Sequence, residues 1–329
     1  MAIIKTTNLT KIYKLFEKEP GLKGSIKSLF NRNFKLKTAL SNFNITINEG
    51  EFVGLIGPNG AGKTTLVKML TGIIAPTSGE LSVLGYYPNK LENAFKKRYA
   101  VVMGQKSQLF FELSASDTFL LFKELYDIPA EEYKQNVDFF VKLFDVENLL
   151  NVQVRTLSLG ERMKMELIVA LLHNPKVLFL DEPTIGLDAI AQKQIRQFLK
   201  QVNETMGTTI ILTSHYMEDI KSLCKRCVVV NNGEKIYDGN TDMLFKKYRT
   251  HKKITLSFAE ETDFILPQNC TMIDYDPLKV NFIVPIEYSQ EIIQNAMKQY
   301  VLSDITIEED EIGSVVERIY GDRQVKRLG

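Results

Sequence analysis

Gly57-Pro58-Asn59-Gly60-Ala61-Gly62-Lys63-Thr64 fits the pattern G-x-x-x-x-G-K-[ST] at every fixed position. It follows the apolar run FVGLI and opens a stretch, Gly62–Leu70, with helical spacing of its apolar residues. That strand–loop–helix context is the one the pattern requires. Glycines adopt backbone angles closed to other residues, so successive N–H groups can turn toward one anion. The helix start adds partial positive charge at the same place. Lys63 is then expected at the β- and γ-phosphates of a nucleotide, and the Thr64 hydroxyl on Mg²⁺. With Thr65 just behind, the loop Gly57 to Thr65 is the expected nucleotide cradle.

Working outward, short β-rich runs alternate with helical stretches through the first 240 or so residues. Ile3–Leu9, Phe43–Ile47, Glu51–Ile56, Ala100–Met103, Val177–Leu180, Thr208–Thr213 and Cys227–Val230 read as strands. Gly62–Leu70, Ala189–Asn203 and Tyr216–Leu223 read as helices. Wholly apolar strands such as VLFL and TIIL suit a parallel sheet covered on both faces, so the class is α/β. Residues 106–175 differ: helical patterns dominate (Ser116–Leu125, Glu131–Phe144, Glu161–Leu172), as expected for a helical subdomain inserted into the core. From about residue 241 to 329, KKITLSF, VNFIVPI and SDITIEE read as strands, with SQEIIQNAMKQY and EIGSVVERIYG as helices, making a small α+β domain.

A second constellation narrows the chemistry. Val177-Leu178-Phe179-Leu180-Asp181-Glu182 is an apolar strand ending in two carboxylates. Open α/β sheets bind ligands beyond the carboxyl ends of their strands. Asp181 is expected to hold Mg²⁺, and Glu182 to orient and deprotonate an attacking water. GTP is disfavoured: the nearest string to the base-reading N-K-x-D is Asn89-Lys90-Leu91-Glu92, with the wrong acid and too soon after the loop.

Leu157-Ser158-Leu159-Gly160-Glu161 precedes a helix and resembles the signature motif of ABC ATPases, LSGGQ in its commonest form. Leu159 and Glu161 depart from that form, while Ser158 and Gly160 keep it. The resemblance implies that this second anion site faces the γ-phosphate bound by another subunit. It implies roles for further residues in the family's order. Gln105 after AVVMG matches the loop that touches Mg²⁺. Asp188 in IGLD matches the loop that crosses the dimer interface. His215 in ILTSHY matches the switch histidine on the γ-phosphate, and Tyr13 in NLTKIYK the aromatic that stacks on adenine. The implied fold is a P-loop NTPase (RecA-like) core with an ABC β-subdomain, an inserted helical subdomain and a small C-terminal α+β domain. The implied function is the ATP-hydrolysing subunit of a bacterial ABC transporter. The insert, the LSLGE variant and the C-terminal part resemble ABC-2-type exporters. Its partners would be an ABC-2-type membrane permease and a second ATP-binding subunit, a homodimer in preference to a heterodimer. Its place would be the cytoplasmic face of the cell membrane.

Composition agrees with this class. With 44% hydrophobic and 25% charged residues the chain is ordinary globular material. Its 41 basic and 40 acidic residues leave no overall basic footprint for nucleic acid, which is not an expected partner. A soluble ABC-type ATPase acting on ribosomes or nucleic acid is the alternative, but such relatives carry two cassettes or a long coiled coil. No apolar run nears the roughly 18 residues of a membrane span, and MAIIKTTNLTKIYK has no secretory apolar core. The segment from Lys14 to Lys37 carries seven Lys/Arg and two Glu. Leu22, Ile26, Leu29 and Phe30 fall at helical spacing there, so it reads as a solvated hairpin or a basic amphipathic helix. Cys224-Lys225-Arg226-Cys227 has no second pair for zinc and reads as buried free thiols. His173 and His251 read as structural or surface residues.

Overall fold

The structure, a computed structural model, describes residues 1–16, 34–104, 106–214, 216–248 and 250–309. Its first elements are two long antiparallel strands, β1 (Ala2–Phe16) and β2 (Phe34–Asn48). Next come β3 (Phe52–Ile56), α1 (Lys63–Leu70), β4 (Ser78–Val83), the single-turn α2 (Asn93–Lys96) and β5 (Tyr99–Met103). Three helices follow, α3 (Ala115–Leu125), α4 (Ala130–Phe144) and α5 (Leu159–Leu171). Then β6 (Val177–Asp181), α6 (Ala189–Met206), β7 (Thr209–Thr213), α7 (Met217–Leu223), β8 (Arg226–Asn231) and β9 (Glu234–Asn240) complete the first of two compact units, Met1–Thr241.

That unit holds two sheets. β2-β1-β4 is antiparallel, and β5-β6-β7-β3-β8-β9 is parallel except for its last pair. β3 and β7 are buried at all five positions, and β6 at all but its last. The central strands therefore bury both faces. Helix α1 turns Leu66, Val67, Met69 and Leu70 into one cluster with Ile4, Leu40 and Phe43 of the antiparallel sheet and Val53, Leu55 and Phe179 of the parallel one. Each such side chain contributes roughly 1.5–3 kcal/mol on burial. The loop before α1 is thereby pinned between two sheets. The carboxyl ends of β3, β5, β6 and β7 lead to Gly57, Gly104, Glu182 and Ser214, so the parallel sheet collects the expected site at one edge.

The second unit, Asp242–Gly329, begins within α8 (Thr241–Tyr248). It contains β10 (His251–Phe258), β11 (Thr271–Asp276), β12 (Lys279–Pro285), α9 (Ile286–Gln299) and β13 (Leu302–Glu309). The four strands form an antiparallel sheet in the order β11-β12-β10-β13. Alternate residues Ile254, Leu256, Phe258 and Val280, Phe282, Val284 turn to one face, where Ile292 and Ala296 of α9 close the core. The C-terminal helix expected over EIGSVVERIYG lies outside the described residues.

Lys14 to Phe16 and Phe34 to Thr38, which flank the basic segment, are paired strand, with Leu15 opposite Lys35. Its residues 17–33, including Leu22, Ile26, Leu29 and Phe30, lie outside the described residues. Among the described residues no helix is long and apolar enough to cross a membrane.

Candidate functional site

The loop that opens α1 depends on one residue without a side chain. Gly62 sits at φ 110, and a Cβ there would lie 2.5 Å from the Ala39 carbonyl oxygen of β2. Both the left-handed backbone and the clearance exclude other residues. Gly62 is also the N-cap of α1, which has no side-chain cap and no acidic residue in its first turn. The leading N–H groups of the helix are thus left for a ligand. Lys63 is 5% exposed and donates from Nζ to the carbonyls of Gly57 (2.6 Å) and Pro58 (3.2 Å). Burial lowers its pKa, while Glu182 and Asp181 act to raise it. The ammonium is therefore held between its own loop and two acids.

Asp181, the last residue of β6, faces that loop. Its Oδ2 accepts from Thr64 Oγ1 at 3.0 Å, and its Oδ1 accepts from Thr213 Oγ1 at 2.5 Å. Glu182 follows at φ 56, a left-handed angle that a residue before proline rarely takes. Such strain costs about 1–3 kcal/mol. It is held by the Glu182 N–H, which donates to the Thr213 carbonyl (3.0 Å) and hydroxyl (3.2 Å). On the other side, a Cβ on Gly104 would lie 2.2 Å from the Glu182 carbonyl oxygen, so only glycine lets the two strand ends approach. Gln105 and His215, expected beside this acid pair, lie outside the described residues. Their neighbours Gly104 and Ser214 directly follow β5 and β7, the two strands flanking β6.

The start of α5 is built differently. Ser158 is its N-cap, and its hydroxyl and N–H both donate to Glu161 Oε2 at 2.8 Å, while the Glu161 N–H donates to Ser158 Oγ at 3.3 Å. The bonds from Ser158, backbone N–H first and hydroxyl second, hold the Glu161 carboxyl below the usual carboxylate range. Gly160 lets α6 approach: a Cβ there would lie 2.9 Å from Ala191 Cβ. Asp188 caps α6, accepting from the Ala191 N–H at 2.9 Å.

Tyr13 lies within β1, which runs on to Phe16 paired with β2. It is opposite Lys37, two residues from the Ala39 that meets Gly62, and Lys11 Nζ sits 5.3 Å from its ring centroid. The structure therefore brings Lys63, Thr64 and Asp181 together. It leaves Ser158, Gly160 and Asp188 engaged in caps and packing within the same chain.

Two supporting residues escape a linear reading. Thr213 bridges Asp181 and Glu182. Asp219, fully buried, accepts from Thr184 Oγ1 (2.5 Å), Ser214 Oγ (2.8 Å) and Arg196 Nη1 (2.9 Å), tying the segment after the acids to the end of β7. Cys224 and Cys227 are buried and free, with burial raising both thiols, Cys227 to about 11. His173 stacks on Tyr126 at 3.9 Å, and its Nε2 donates to the Tyr99 carbonyl; burial lowers it to about 4. These three are structural. His251 is a half-buried residue of β10.

Comparison with known proteins agrees with this geometry. The ABC transporter family model matches residues 40–185. The Bacillus subtilis ABC transporter ATP-binding protein NatA is 32% identical over 67% of this chain and 89% of its own length. The Bacillus licheniformis bacitracin transport ATP-binding protein BcrA is 29% identical over 83% of this chain and 81% of its own. A solved dimer of the ATP-binding cassette MJ0796, in a post-hydrolysis state with ADP and Pi, superposes with a TM-score of 0.59 at 26% identity, covering 72% and 98% of the two chains. The chain belongs to the ABC transporter family, as an ATP-binding, ATP-hydrolysing subunit of the P-loop NTPase fold.

Proposed function

We propose that the chain drives an ABC-2-type export permease from the cytoplasmic face of the membrane. Residues 1–240 are its motor domain and 241–329 an accessory domain. Two copies close head to tail, each phosphate loop against the other's α5 start. The MJ0796 cassette, itself solved as a dimer, supports pairing, and the bacitracin transport relative supports the export reading. Phe110, Phe111, Leu113, Leu120, Leu121 and Leu125 leave an apolar patch exposed on and before α3, which suits a membrane partner.

The observation that carries the catalytic reading is Thr64 Oγ1 resting 3.0 Å from Asp181 beside the buried Lys63. A hydroxyl and a carboxylate are hard oxygen donors that fit Mg²⁺. Thr64, Asp181 and Gln105 would hold the ion, which neutralises charge on the phosphate oxygens. Gly57 to Thr65 wrap the phosphates, and Lys63 exchanges its loop carbonyls for phosphate oxygens. Tyr13 stacks on adenine. Glu182, held in its strained backbone, accepts the proton of the attacking water, and His215 contacts the γ-phosphate. From the second subunit, Ser158 and Gly160 complete the phosphate site, with Asp188 at the crossing. Glu182→Gln is the test: ATP binding is retained while phosphate release falls about 10²-fold or more and an ATP-bound dimer accumulates. Near-normal turnover would overturn the assignment of Glu182.

A further inference from the structure

Helix α5 buries almost everything it carries from Met163 to Leu171, and one of those residues is an acid. Glu166 is 4% exposed. A carboxylate at that depth needs donors, and it finds them on one short loop. Its Oε1 accepts from the Ser107 hydroxyl and from the N–H groups of Gln108 (2.9 Å) and Leu109 (3.3 Å), and its Oε2 lies 3.0 Å from the same Gln108 N–H. Burial raises its pKa, and the bonds from Ser107, Gln108 and Leu109 with the nearby Arg162 oppose that rise.

The loop so held is tied to the acid pair at its other end. The Gly104 N–H donates to the Asp181 carbonyl at 2.9 Å, and Gly104 is the residue pressed against Glu182. The Lys106 N–H returns to the Met103 carbonyl at 2.9 Å, and Gln108 Nε2 donates to the Val101 carbonyl of β5 at 2.9 Å. Gly104 is thus bonded to β6, and Ser107 to Leu109, a few positions on, are bonded to α5. Glu166 stands about two helical turns from Ser158 on that helix.

We infer that Glu166 is a positioning residue: by gripping residues 107–109 it sets the start of α5 relative to Asp181 and Glu182, so that two ATP-loaded chains close in catalytic register. This rests on the head-to-tail reading above. Glu166 bonds to residues 107–109 and to none of the residues assigned to ATP or Mg²⁺, so its loss acts on closure and turnover and leaves the first encounter with ATP intact. Glu166→Gln keeps one acceptor oxygen for Ser107 and Leu109 but removes the charge and sets an amide NH2 against the Gln108 N–H in place of Oε2, so the grip is weakened. Ser107→Ala is milder: it removes one hydroxyl and leaves the backbone donors of Gln108 and Leu109 in place.

The experiment uses the full chain and three readouts: affinity for a fluorescent ATP analogue, kcat for phosphate release, and ATP-dependent dimer formation in the Glu182→Gln background. For Glu166→Gln, analogue affinity stays unchanged, kcat falls about tenfold, and the ATP needed for half-dimerisation rises by a similar factor. Ser107→Ala shifts kcat the same way by about threefold. A folded Glu166→Gln chain with parental kcat and dimerisation overturns the inference, as does a loss of analogue affinity in step with kcat. Should Glu166→Gln fail to fold, Ser107→Ala decides by the same split. Failure of Glu182→Gln alone to dimerise counts against the head-to-tail reading, and the kcat readings then still decide on Glu166.

Discussion

Helices α1 and α5 both begin where phosphate is expected, yet they treat their unpaired N–H groups in opposite ways. α1 has no side-chain cap, no acid in its first turn, and a glycine held at φ 110. α5 is closed by Ser158 and Glu161, each side chain bonded to the other's backbone. Omitting a cap costs about 0.5–2 kcal/mol, so an open start persists where a ligand supplies the acceptor. At α1 no side chain among the described residues caps the helix, which suits an acceptor brought by ATP. At α5 the chain supplies its own carboxylate, and an incoming phosphate must compete for the Ser158 hydroxyl. On the proposed mechanism, then, the open end is the primary binding site and the closed end joins once a loaded partner arrives.

Three measurements break or sharpen this contrast. The largest effect belongs to α1. Lys63→Met removes the charge held by Gly57 and Pro58 and should lower phosphate release by about 10²–10³-fold. Activity within tenfold of the parent would mean that the open end is not where catalysis is organised. A smaller effect belongs to α5. Glu161→Gln keeps a residue that serves in the capping box but removes the competing charge. The ATP concentration for half-maximal hydrolysis should fall about two- to fivefold, since one charge at a helix start is worth about 0.3–1 kcal/mol. An unchanged or higher value would show that Glu161 does not compete with phosphate.

The smallest effect is in pH. Bonding to Ser158 depresses the folded pKa of Glu161. Its contribution is therefore present above the unfolded carboxylate pKa and is lost as pH falls through the lower folded value. Amide exchange at Glu161, corrected for its intrinsic pH dependence, should accelerate only below the usual carboxylate range. A corrected rate that stays constant well below that range would deny the capping box its ionic part.

Local chemistry explains what was legible in the sequence. Gly57 to Thr64 is a contiguous backbone device, and Val177 to Glu182 announces a buried strand with acids at its end, so both could be located without a fold. Ser158 with Glu161 also reads as a capping box at short range. The strands missed were those with mixed surfaces: β4 has three exposed residues, Gly79 among them, β9 has no buried residue, and β11 is almost wholly exposed. Their pairing comes from neighbouring strands rather than from their own apolar pattern. The supports of the site were hidden for another reason. Glu166 lies in an apolar helical run, yet its partners at 107–109 are 57 to 59 positions away. Thr213 reaches Asp181 across 32 positions. Neither spacing is set by a local period, and only the packed sheet brings those groups together.

The central claim is that a phosphate loop in one chain works against the α5 start of another. Mixing two inactive variants tests it most directly. A Lys63→Met chain keeps its α5 start, and a Ser158→Phe chain keeps its phosphate loop. Mixed pairs hold one intact composite site. Equal amounts should therefore recover roughly a quarter of parental phosphate release for random symmetric pairing, although neither variant is active alone. A mixture no more active than its two components would contradict the account.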